Sequence, residues 1–198
     1  MTDSMQFSTV ETSDDVSGIL DLQSRNLASA LTPETIASQG FVTVRHDEGV
    51  LRRMNDATPS IVARVGGRVV AYALVMPRSF AADVPILGPL FAMLDTLSWN
   101  GRPLRGDPRW FVMGQVCVAD GYRGSGIFDG LYRTMAERYG ADFDFTVTEV
   151  AARNTRSLRA HQRVGFQAVH VYPDDTTGEE WHVIALDLRR PLPSTPRR

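Results

Sequence analysis

The sequence of 198 residues predicts an α/β domain built on a mixed sheet. Residues 60–76 form two β-rich runs joined by a two-glycine turn, which is typical of a β-hairpin. Residues 110–120 form a mostly apolar strand of the kind that is buried on both faces, and they run directly into a helical pattern that ends near residue 140. A strand at 143–150 follows, and this strand–helix–strand order implies a parallel pair with a right-handed crossover.

The flanking segments supply the remaining elements. A strand at 5–10 is followed by N-cap chemistry at Ser13 and Asp14, which begins the first helix. Thr32 can cap a second helical region, and a short helix is expected around residues 50–54. The last predicted elements are a helix at 154–165 and two strands, at 166–172 and 179–188.

Residues 79–109 interrupt the β pattern between the third and fourth strands. Within this segment apolar side chains recur at helical spacing, so we expect a helical insertion. These side chains are Leu87, Leu90, Phe91, Leu94 and Leu97. We therefore expect one domain over residues 1–190 that carries the insertion, followed by a disordered tail at 191–198.

Composition limits the kind of function. A formal net charge of −2 argues against a general binder of nucleic acid, since such domains usually show a basic excess. The N-terminal stretch lacks a basic and apolar leader, and no run of 18 apolar residues is present, so we expect no membrane association and a cytoplasmic location. The single cysteine, Cys117, offers neither a disulfide nor a metal cluster, so no metal is expected. All 21 basic residues are arginine, which is typical of a GC-rich bacterial genome.

The turn between the 110–120 strand and the next helix carries the most informative pattern. Gly124 and Gly126 precede a helix whose first N–H groups lack intrahelical partners and carry partial positive charge. Two residues without Cβ let a diphosphate approach these amides closely, although a tight turn without any ligand is the alternative. A dinucleotide fingerprint would need glycine in place of Asp129, and a Walker loop would need a lysine.

The run Arg123-Gly124-Ser125-Gly126-Ile127 resembles the acyl-CoA motif Q/R-x-x-G-x-G/A of the GNAT superfamily of N-acetyltransferases. A second motif of that superfamily, an Asn-helix ending in Gly-Phe, is similar to the segment with Asn154, Ser157, Ala160 and Val164-Gly165-Phe166. Both motifs occur in the expected order and on the expected elements. The resemblance covers roughly residues 60–78 and 110–188.

This resemblance implies a seven-stranded mixed sheet whose fourth and fifth strands splay apart around the cosubstrate acetyl-CoA. Backbone groups of Val116, Cys117 and Val118 would pair with pantetheine, and Asn154 and Ser157 would lie at the CoA arm. The pyrophosphate would be held by amides of the next turn, those of Arg123, Gly124, Ser125, Gly126, Ile127 and Phe128. A small residue usually stands at the last of these positions, so we expect the Phe128 side chain to turn into the core and leave its amide usable.

The implied reaction is acetyl transfer to a primary amine of a small molecule or peptide, by direct attack within a ternary complex. An amine with a pKa near 10 is only about one part in a thousand neutral at pH 7, so a base is needed. Many members of the superfamily place a glutamate on the fourth strand, which has no carboxylate here. Glu149, at the end of the fifth strand, is the candidate base, and a structural hydrogen bond is the alternative.

A second catalytic candidate is His161, which stands seven residues after Asn154, where the superfamily commonly has tyrosine. Because the two share a helix face, we expect the imidazole to point toward the CoA sulfur and to protonate the leaving thiolate. A packing role is the alternative. Cys117, on a buried strand, is expected to be a small apolar residue rather than a nucleophile.

Other features leave alternatives open. We expect the 79–109 insertion to fold over the acceptor side as a lid; packing on the sheet and a contact within a homodimer are the alternatives. A basic helix edge could be a solvated face or a contact for the CoA 3′-phosphate, and it consists of Arg153, Arg156, Arg159 and Arg163. The second function considered is a non-catalytic acyl-CoA-binding or regulatory module.

Overall fold

The computed structural model describes residues 4–32, 34–36, 41–174 and 178–193. Seven strands form one sheet in the order β1-β2-β3-β4-β5-β7-β6. They are β1 Gln6–Thr9, β2 Ile61–Val65, β3 Arg68–Met76, β4 Trp110–Val118, β5 Phe145–Ala151, β6 Gln167–Pro173 and β7 Glu180–Asp187. Only β4 and β5 run parallel, and the other neighbours are antiparallel. The predicted mixed sheet of seven strands is confirmed.

Within the described residues, five helices of seven residues or more pack on the two faces of this sheet. They are α1 Ser13–Asn26, α2 Glu48–Ala57, α3 Gly88–Leu94, α4 Ile127–Tyr139 and α5 Thr155–Val164. The apolar faces of α4 and α5 share one core cluster with the sheet, and those of α1, α2 and α3 lie in the clusters on the other face. Among the described residues, every helix is too short or too polar to cross a membrane. Of the helical region predicted from Thr32, residues 34–36 are helical, whereas residues 33 and 37–40 lie outside the described residues.

The parallel pairing of β4 with β5 is short. It ends at Val112 and Val147, although β4 continues to Val118 and β5 continues through Ala151. On its other side β4 stays paired with β3, as far as the partners Val118 and Ala71. Beyond Val112 the two strands therefore diverge, and the predicted opening between the fourth and fifth strands is confirmed.

The start of helix α1 is fixed by a capping box one residue earlier than predicted. The side chain of Thr12, rather than Ser13 or Asp14, accepts the amide of Asp15, and Asp15 accepts the amide of Thr12 in return. Asp15 also binds Arg64 of β2 through both carboxylate oxygens, at 2.7 and 2.6 Å. One buried carboxylate thus both caps the helix and ties it to the sheet.

The insertion between β3 and β4 packs on the sheet. It contains α3 and a short hairpin of Ser98–Trp99 with Arg102–Pro103. Leu90, Phe91 and Leu94 are buried in the same cluster as Phe145 and Val147, which lie where β4 and β5 are still paired. The expectation of a lid is wrong, because the apolar side chains that would cover an acceptor are buried against the sheet instead.

The C-terminal segment is described as far as residue 193. Leu192 packs against the main core cluster, and Pro193 lies beside Gly165 at the end of α5. The rest of the tail predicted to be disordered, residues 194–198, lies outside the described residues.

Asp15 gives the fold a pH-dependent contribution to stability. Burial alone would raise the pKa of Asp15, but Arg64 and the amides of Glu11 and Thr12 lower this pKa to about 2. A carboxyl group whose pKa is lower in the folded state stabilises the fold above its unfolded pKa, near 4, and this contribution is lost as the pH falls toward 2. We predict that Asp15→Asn lowers the free energy of unfolding at pH 7 by about 1–3 kcal/mol, measured by urea unfolding.

The control for this prediction is Asp14→Asn, since Asp14 lies in the same helical turn but is exposed. It should change the free energy of unfolding by less than about 0.5 kcal/mol. At pH 2.5 the difference between the wild type and Asp15→Asn should shrink. A difference that stays constant between pH 7 and pH 2.5 would contradict the proposed role of the carboxylate.

Candidate functional site

The opening between β4 and β5 leads into a cavity of about 810 Å³. Its wall is formed by the end of β4, the glycine turn, the first turn of α4, helix α5 and residues 41–42 of the connection between α1 and α2. All the residues predicted to bind the cofactor lie on this wall: Val116, Cys117, Val118, Arg123, Gly124, Ser125, Gly126, Ile127, Phe128, Asn154 and Ser157. Two sequence motifs that lie 30 residues apart thus meet at one cavity.

The glycine turn has the backbone geometry that an anion cradle needs. Gly124 and Gly126 have φ angles of 78° and 81°, in the left-handed region that favours glycine. A Cβ at either position would meet nothing within 4 Å, so open space lies in front of both. Helix α4 begins at Ile127 without a side-chain cap, and Ser125 Oγ braces the turn by donating to the carbonyl of Tyr122 at 2.6 Å. The first amides of the helix therefore remain for a ligand.

The end of β4 turns backbone groups toward the opening. The amide of Ala119 donates to Val70 of β3 at 2.8 Å, so Ala119 faces β3. Because alternate residues of an antiparallel strand direct their backbone groups to opposite sides, Val116 and Val118 face the opening and Cys117 faces β3. The prediction that the backbone groups of Cys117 contact the ligand is corrected, because these groups face β3. Cys117 instead forms part of the cavity wall.

Arg123 fixes the position of the turn. Its guanidinium donates through Nε to the carbonyl of Val118 at 3.0 Å and through a terminal nitrogen to Asn26 Oδ1 at 2.7 Å. The side chain thereby links the end of β4, the glycine turn and the last residue of α1. This motif residue therefore helps to hold the cradle in shape as well as lining the cavity.

The basic edge of α5 is divided between two environments. Arg156, Arg159 and Arg163 line the cavity, and Arg163 also joins α5 to α4 through an ion pair with Asp129 at 2.6 Å. Arg153 instead pairs with Glu179. Three guanidinium groups therefore bring positive charge to the cavity that the glycine turn opens into.

Cys117 is buried, with 7% of its surface exposed. Burial raises the pKa of its thiol to about 11, and the positive charge of Arg123 only partly opposes this rise. At neutral pH the thiol is protonated and is a poor nucleophile, as expected from the sequence.

A second, smaller cavity of about 80 Å³ adjoins the first at the carboxyl ends of the splayed strands. Its wall includes both predicted catalytic residues, Glu149 and His161, together with Gln115 and Trp181. The residues common to both cavities are Phe41, Val42, Val116, Asn154 and Ser157. This shared wall marks the junction between the two spaces.

His161 is almost completely buried, and both ring nitrogens are engaged. Nδ1 lies 2.8 Å from the carbonyl of Ser157, which can only accept, so Nδ1 carries the proton and Nε2 accepts from Tyr132 at 2.9 Å. Burial lowers the pKa of the imidazole to about 4, against the opposing effect of the Ser157 carbonyl. This arrangement argues against the predicted protonation of a thiolate by the ring, since the ring is neutral at neutral pH and its only N–H is already donated. The Phe128 ring packs on His161 at 5.0 Å, turned into the core as expected.

Glu149 lies on β5 opposite Val183 of β7 and is half-buried at the second cavity. Its Oε2 accepts a hydrogen bond from the hydroxyl of Tyr172 at 2.6 Å. Burial raises the pKa of the Glu149 carboxyl, the Tyr172 hydroxyl lowers it, and the charge of Asp174 raises it. A carboxylate with a raised pKa is a better proton acceptor near neutral pH than an exposed one.

Two parts of this site were missed by sequence reasoning. Tyr172 lies two strands away from Glu149 in the sheet, and no local pattern connects them. The segment at 41–47 has no clear periodicity, yet it is anchored at the opening. The Val44 carbonyl accepts Nε2 of Gln115 at 2.8 Å, and Gln115 Oε1 accepts the hydroxyl of Tyr72 at 2.6 Å. Gln115 of β4 thus holds this segment in place.

No group of three potential metal-ligating side chains occurs within residues 4–32, 34–36, 41–174 and 178–193. The side chains and backbone groups that the site offers are backbone amides, arginines, the half-buried carboxylate of Glu149 and hydroxyl groups.

The engaged state of His161 can be tested by its titration. We predict that its ring resonances in a two-dimensional NMR titration stay those of the neutral Nδ1–H tautomer from pH 8 to about pH 5. The pKa of His161 is lower in the folded protein than its unfolded value near 6.5. The contribution of His161 to the free energy of unfolding should therefore be complete above pH 6.5 and should be lost as the pH drops toward 4. A midpoint above pH 6 would contradict the burial of both nitrogens and would restore the imidazole as a proton donor.

Comparison with known proteins supports the family and the fold. A family model described as the acetyltransferase (GNAT) family matches residues 25–166. No curated protein sequence matches the chain.

Solved structures share the fold at low sequence identity. The acetyltransferase yncA from Salmonella typhimurium, solved with its cofactor acetyl-CoA, is 16% identical with a TM-score of 0.59, and the match covers 94% of this chain and 95% of that one. The ribosomal-protein-S18-alanine N-acetyltransferase from Escherichia coli is 14% identical with a TM-score of 0.56, covering 95% and 96%. The NatC complex bound to Gag peptide and CoA contains a chain that is 12% identical with a TM-score of 0.61, covering 93% and 98%. With the family match over most of its length and the splayed seven-stranded sheet, this chain belongs to the GNAT family of N-acetyltransferases.

Proposed function

We propose that this chain transfers an acetyl group from acetyl-CoA to a primary amine of a small molecule or peptide, by direct attack of the amine within a ternary complex. The observation that carries the proposal is the junction of two cavities at the splayed strands. The larger cavity offers backbone hydrogen-bond donors and positively charged arginines that suit CoA. The smaller cavity contains the carboxylate of Glu149, which suits an amine.

The larger cavity fits the parts of acetyl-CoA in order. Open space before Gly124 and Gly126, together with the first amides of α4, suits a pyrophosphate. The backbone groups of Val116 and Val118 suit the amides of pantetheine, which would add to β4 as a further strand. The three arginines on the α5 wall favour the negative charge of the phosphate groups. The related structure of yncA holds acetyl-CoA.

In the smaller cavity Glu149 would act as the base. It would take one proton from the incoming ammonium group, and the neutral nitrogen would then form a bond to the acetyl carbonyl carbon while the bond from that carbon to sulfur breaks. The second proton that the nitrogen loses would pass to the leaving sulfur, which gives the amide and free thiol. Tyr172 holds one carboxylate oxygen of Glu149, so the other oxygen is the one that receives the proton. A peptide acceptor and a small amine both remain within the proposal, and the related Escherichia coli enzyme acts on an alanine of a ribosomal protein.

The leaving thiolate would meet a hydroxyl rather than the imidazole. Ser157 lies on the junction wall, and its Oγ is 3.2 Å from Nδ1 of His161. His161 would therefore act as a positioning residue that fixes the first turn of α5, including Ser157 and the cap residue Asn154. Asn154 Oδ1 accepts the amide of Ser157 at 3.3 Å, which fixes the same turn from the other side.

A non-catalytic acyl-CoA-binding module is the second candidate. It is favoured by the engagement of both His161 nitrogens and by glutamine in place of a carboxylate on β4. Release of free thiol from acetyl-CoA in the presence of a panel of amines separates the two functions. Release above the hydrolysis background with at least one amine supports the enzyme, and binding without release for every amine supports the module.

Donor binding can be tested by thermal unfolding. We predict that acetyl-CoA at about a hundred times its dissociation constant stabilises the wild type by roughly 2.7 kcal/mol. Gly126→Glu should abolish this effect, because its carboxylate adds bulk and negative charge at the pyrophosphate cradle and strains a left-handed backbone.

The matched control is Gly67→Glu in the turn between β2 and β3. Gly67 has a similar φ of 76° and open space around it, but it lies outside both cavities. This variant should lose stability from backbone strain yet keep the full gain from acetyl-CoA. If saturating acetyl-CoA leaves the melting temperature of the wild type unchanged, the assignment of acetyl-CoA as the donor is wrong.

The role of Glu149 can be tested by its effect on rate and on pH dependence. We predict that Glu149→Gln lowers kcat/KM for the amine by about 10²–10⁴-fold while the Kd for acetyl-CoA stays within a few fold. Tyr172→Phe removes the hydrogen bond that lowers the pKa of Glu149, so the acidic limb of kcat/KM should move to higher pH. The exposed Glu137→Gln on α4 serves as the control. Equal rates for Glu149→Gln and Glu137→Gln would show that Glu149 is not the base.

A further inference from the structure

Phe41 has an unusual position among the residues of the site. It and Val42 are the only apolar residues outside β4 that line both cavities within the described part of the chain. Val116 of β4 lines both cavities as well. The space where the larger cavity meets the smaller one is therefore bounded by three apolar side chains, and a thioester bound along β4 would present its acyl group there.

The ring of Phe41 is held from outside the cavity. The guanidinium of Arg153 lies 4.6 Å from the ring centroid, in the geometry of a cation–π contact. Arg153 follows β5, and it is paired in turn with Glu179, which precedes β7. Arg153, itself held by Glu179, thus contacts the face of the aromatic ring.

The backbone beside Phe41 is also fixed. The amide of Val42 donates to the carbonyl of Asn26 at 2.9 Å, and the carbonyl of Val42 accepts the amide of Ala28 at 3.0 Å. Val42 itself is buried, with 6% of its surface exposed. Anchored at the end of α1 and covered by Arg153, the ring has little freedom to withdraw when a larger group arrives.

The room beyond the ring is small. The second cavity measures about 80 Å³, and part of its wall is the polar surface around Glu149 that an amine has to reach. An acyl chain longer than acetyl would have to enter this space or displace the Phe41 ring. Either outcome penalises the longer donor, and a single methylene in an apolar pocket changes discrimination by about 10–200-fold.

We infer that Phe41, clamped by Arg153, is the residue that limits the acyl donor to short chains. This inference rests on the proposed function, since it assumes that acyl-CoA occupies the larger cavity. It gives the connection between α1 and α2 a role in donor specificity. The residue that selects the length of the acyl chain is then different from the proposed base, Glu149.

The test compares the binding of acetyl-CoA and butyryl-CoA without any amine, by titration calorimetry. For the wild type, the ratio of the Kd for butyryl-CoA to the Kd for acetyl-CoA should be about 10 or more. Phe41→Ala should narrow this ratio by about 10-fold while its Kd for acetyl-CoA stays within threefold. Arg153→Met should narrow the ratio in the same direction but less, because the ring stays and only its clamp is lost. The control is Phe80→Ala, since Phe80 is also a half-buried phenylalanine but lies in the insertion and outside both cavities.

The outcomes are distinct. If the wild type binds both donors equally, or if Phe41→Ala keeps the wild-type ratio while binding acetyl-CoA normally, the inference is wrong and the proposed function stands. If the wild type binds neither donor, the proposed function is overturned together with the inference. Should Phe41→Ala fail to fold, Phe41→Leu keeps an apolar wall with a smaller side chain, and an unchanged ratio in that variant overturns the inference. The ratio of kcat/KM for the two donors, measured by thiol release, should follow the ratio of Kd.

Discussion

The early end of pairing between β4 and β5 is the constraint on which the rest of the site depends. Past Val112 and Val147 the two strands separate, so β4 keeps a row of backbone groups without a strand partner on that side. Unsatisfied buried backbone groups are costly, and a fold that keeps them has to supply another partner. Arg123 satisfies one of them, the carbonyl of Val118. The remaining groups open onto a cavity whose far wall is the start of α4 and α5.

In the proposed reaction the two sides of the junction would recognise their ligands by different means. On the donor side the contacts would come from main-chain amides, left-handed glycines and helix starts, so the side chains there would mostly shape and brace the backbone. On the acceptor side the wall consists of side chains from separate segments, among them Gln115, Glu149 and Trp181. Substitutions on the acceptor side would then leave the backbone cradle for the donor intact.

The same division explains what could be predicted from the sequence. Gly124, Gly126 and the helix that follows Asn154 are local patterns, because neighbouring residues determine a strand, a tight turn and the start of a helix. These patterns were enough to predict where the larger cavity lies. The hydrogen bonds of His161 could not be predicted, since one partner, Tyr132, lies 29 residues away on another helix. The periodicity of Leu90, Phe91 and Leu94 indicated a buried face but could not say which surface buries it. Phe41 lies in a segment with neither periodicity nor turn chemistry, and only the tertiary structure brings it to the junction.

The divergence of β4 from β5 also bears on how much of the unpaired side of β4 is accessible from outside. A strand that keeps unpaired backbone groups usually invites a second chain to add alongside it, and such edges promote aggregation. Here the unpaired side of β4 is recessed, with β5 on its flank, the turns of α4 and α5 on one face and the Phe41 segment at the junction. These elements surround the unpaired side of β4, so it is less accessible to another polypeptide than the open edge of a sheet would be. The chain thereby keeps unpaired backbone groups in the middle of the sheet, beside a cavity, instead of at the outer edge strands β1 and β6.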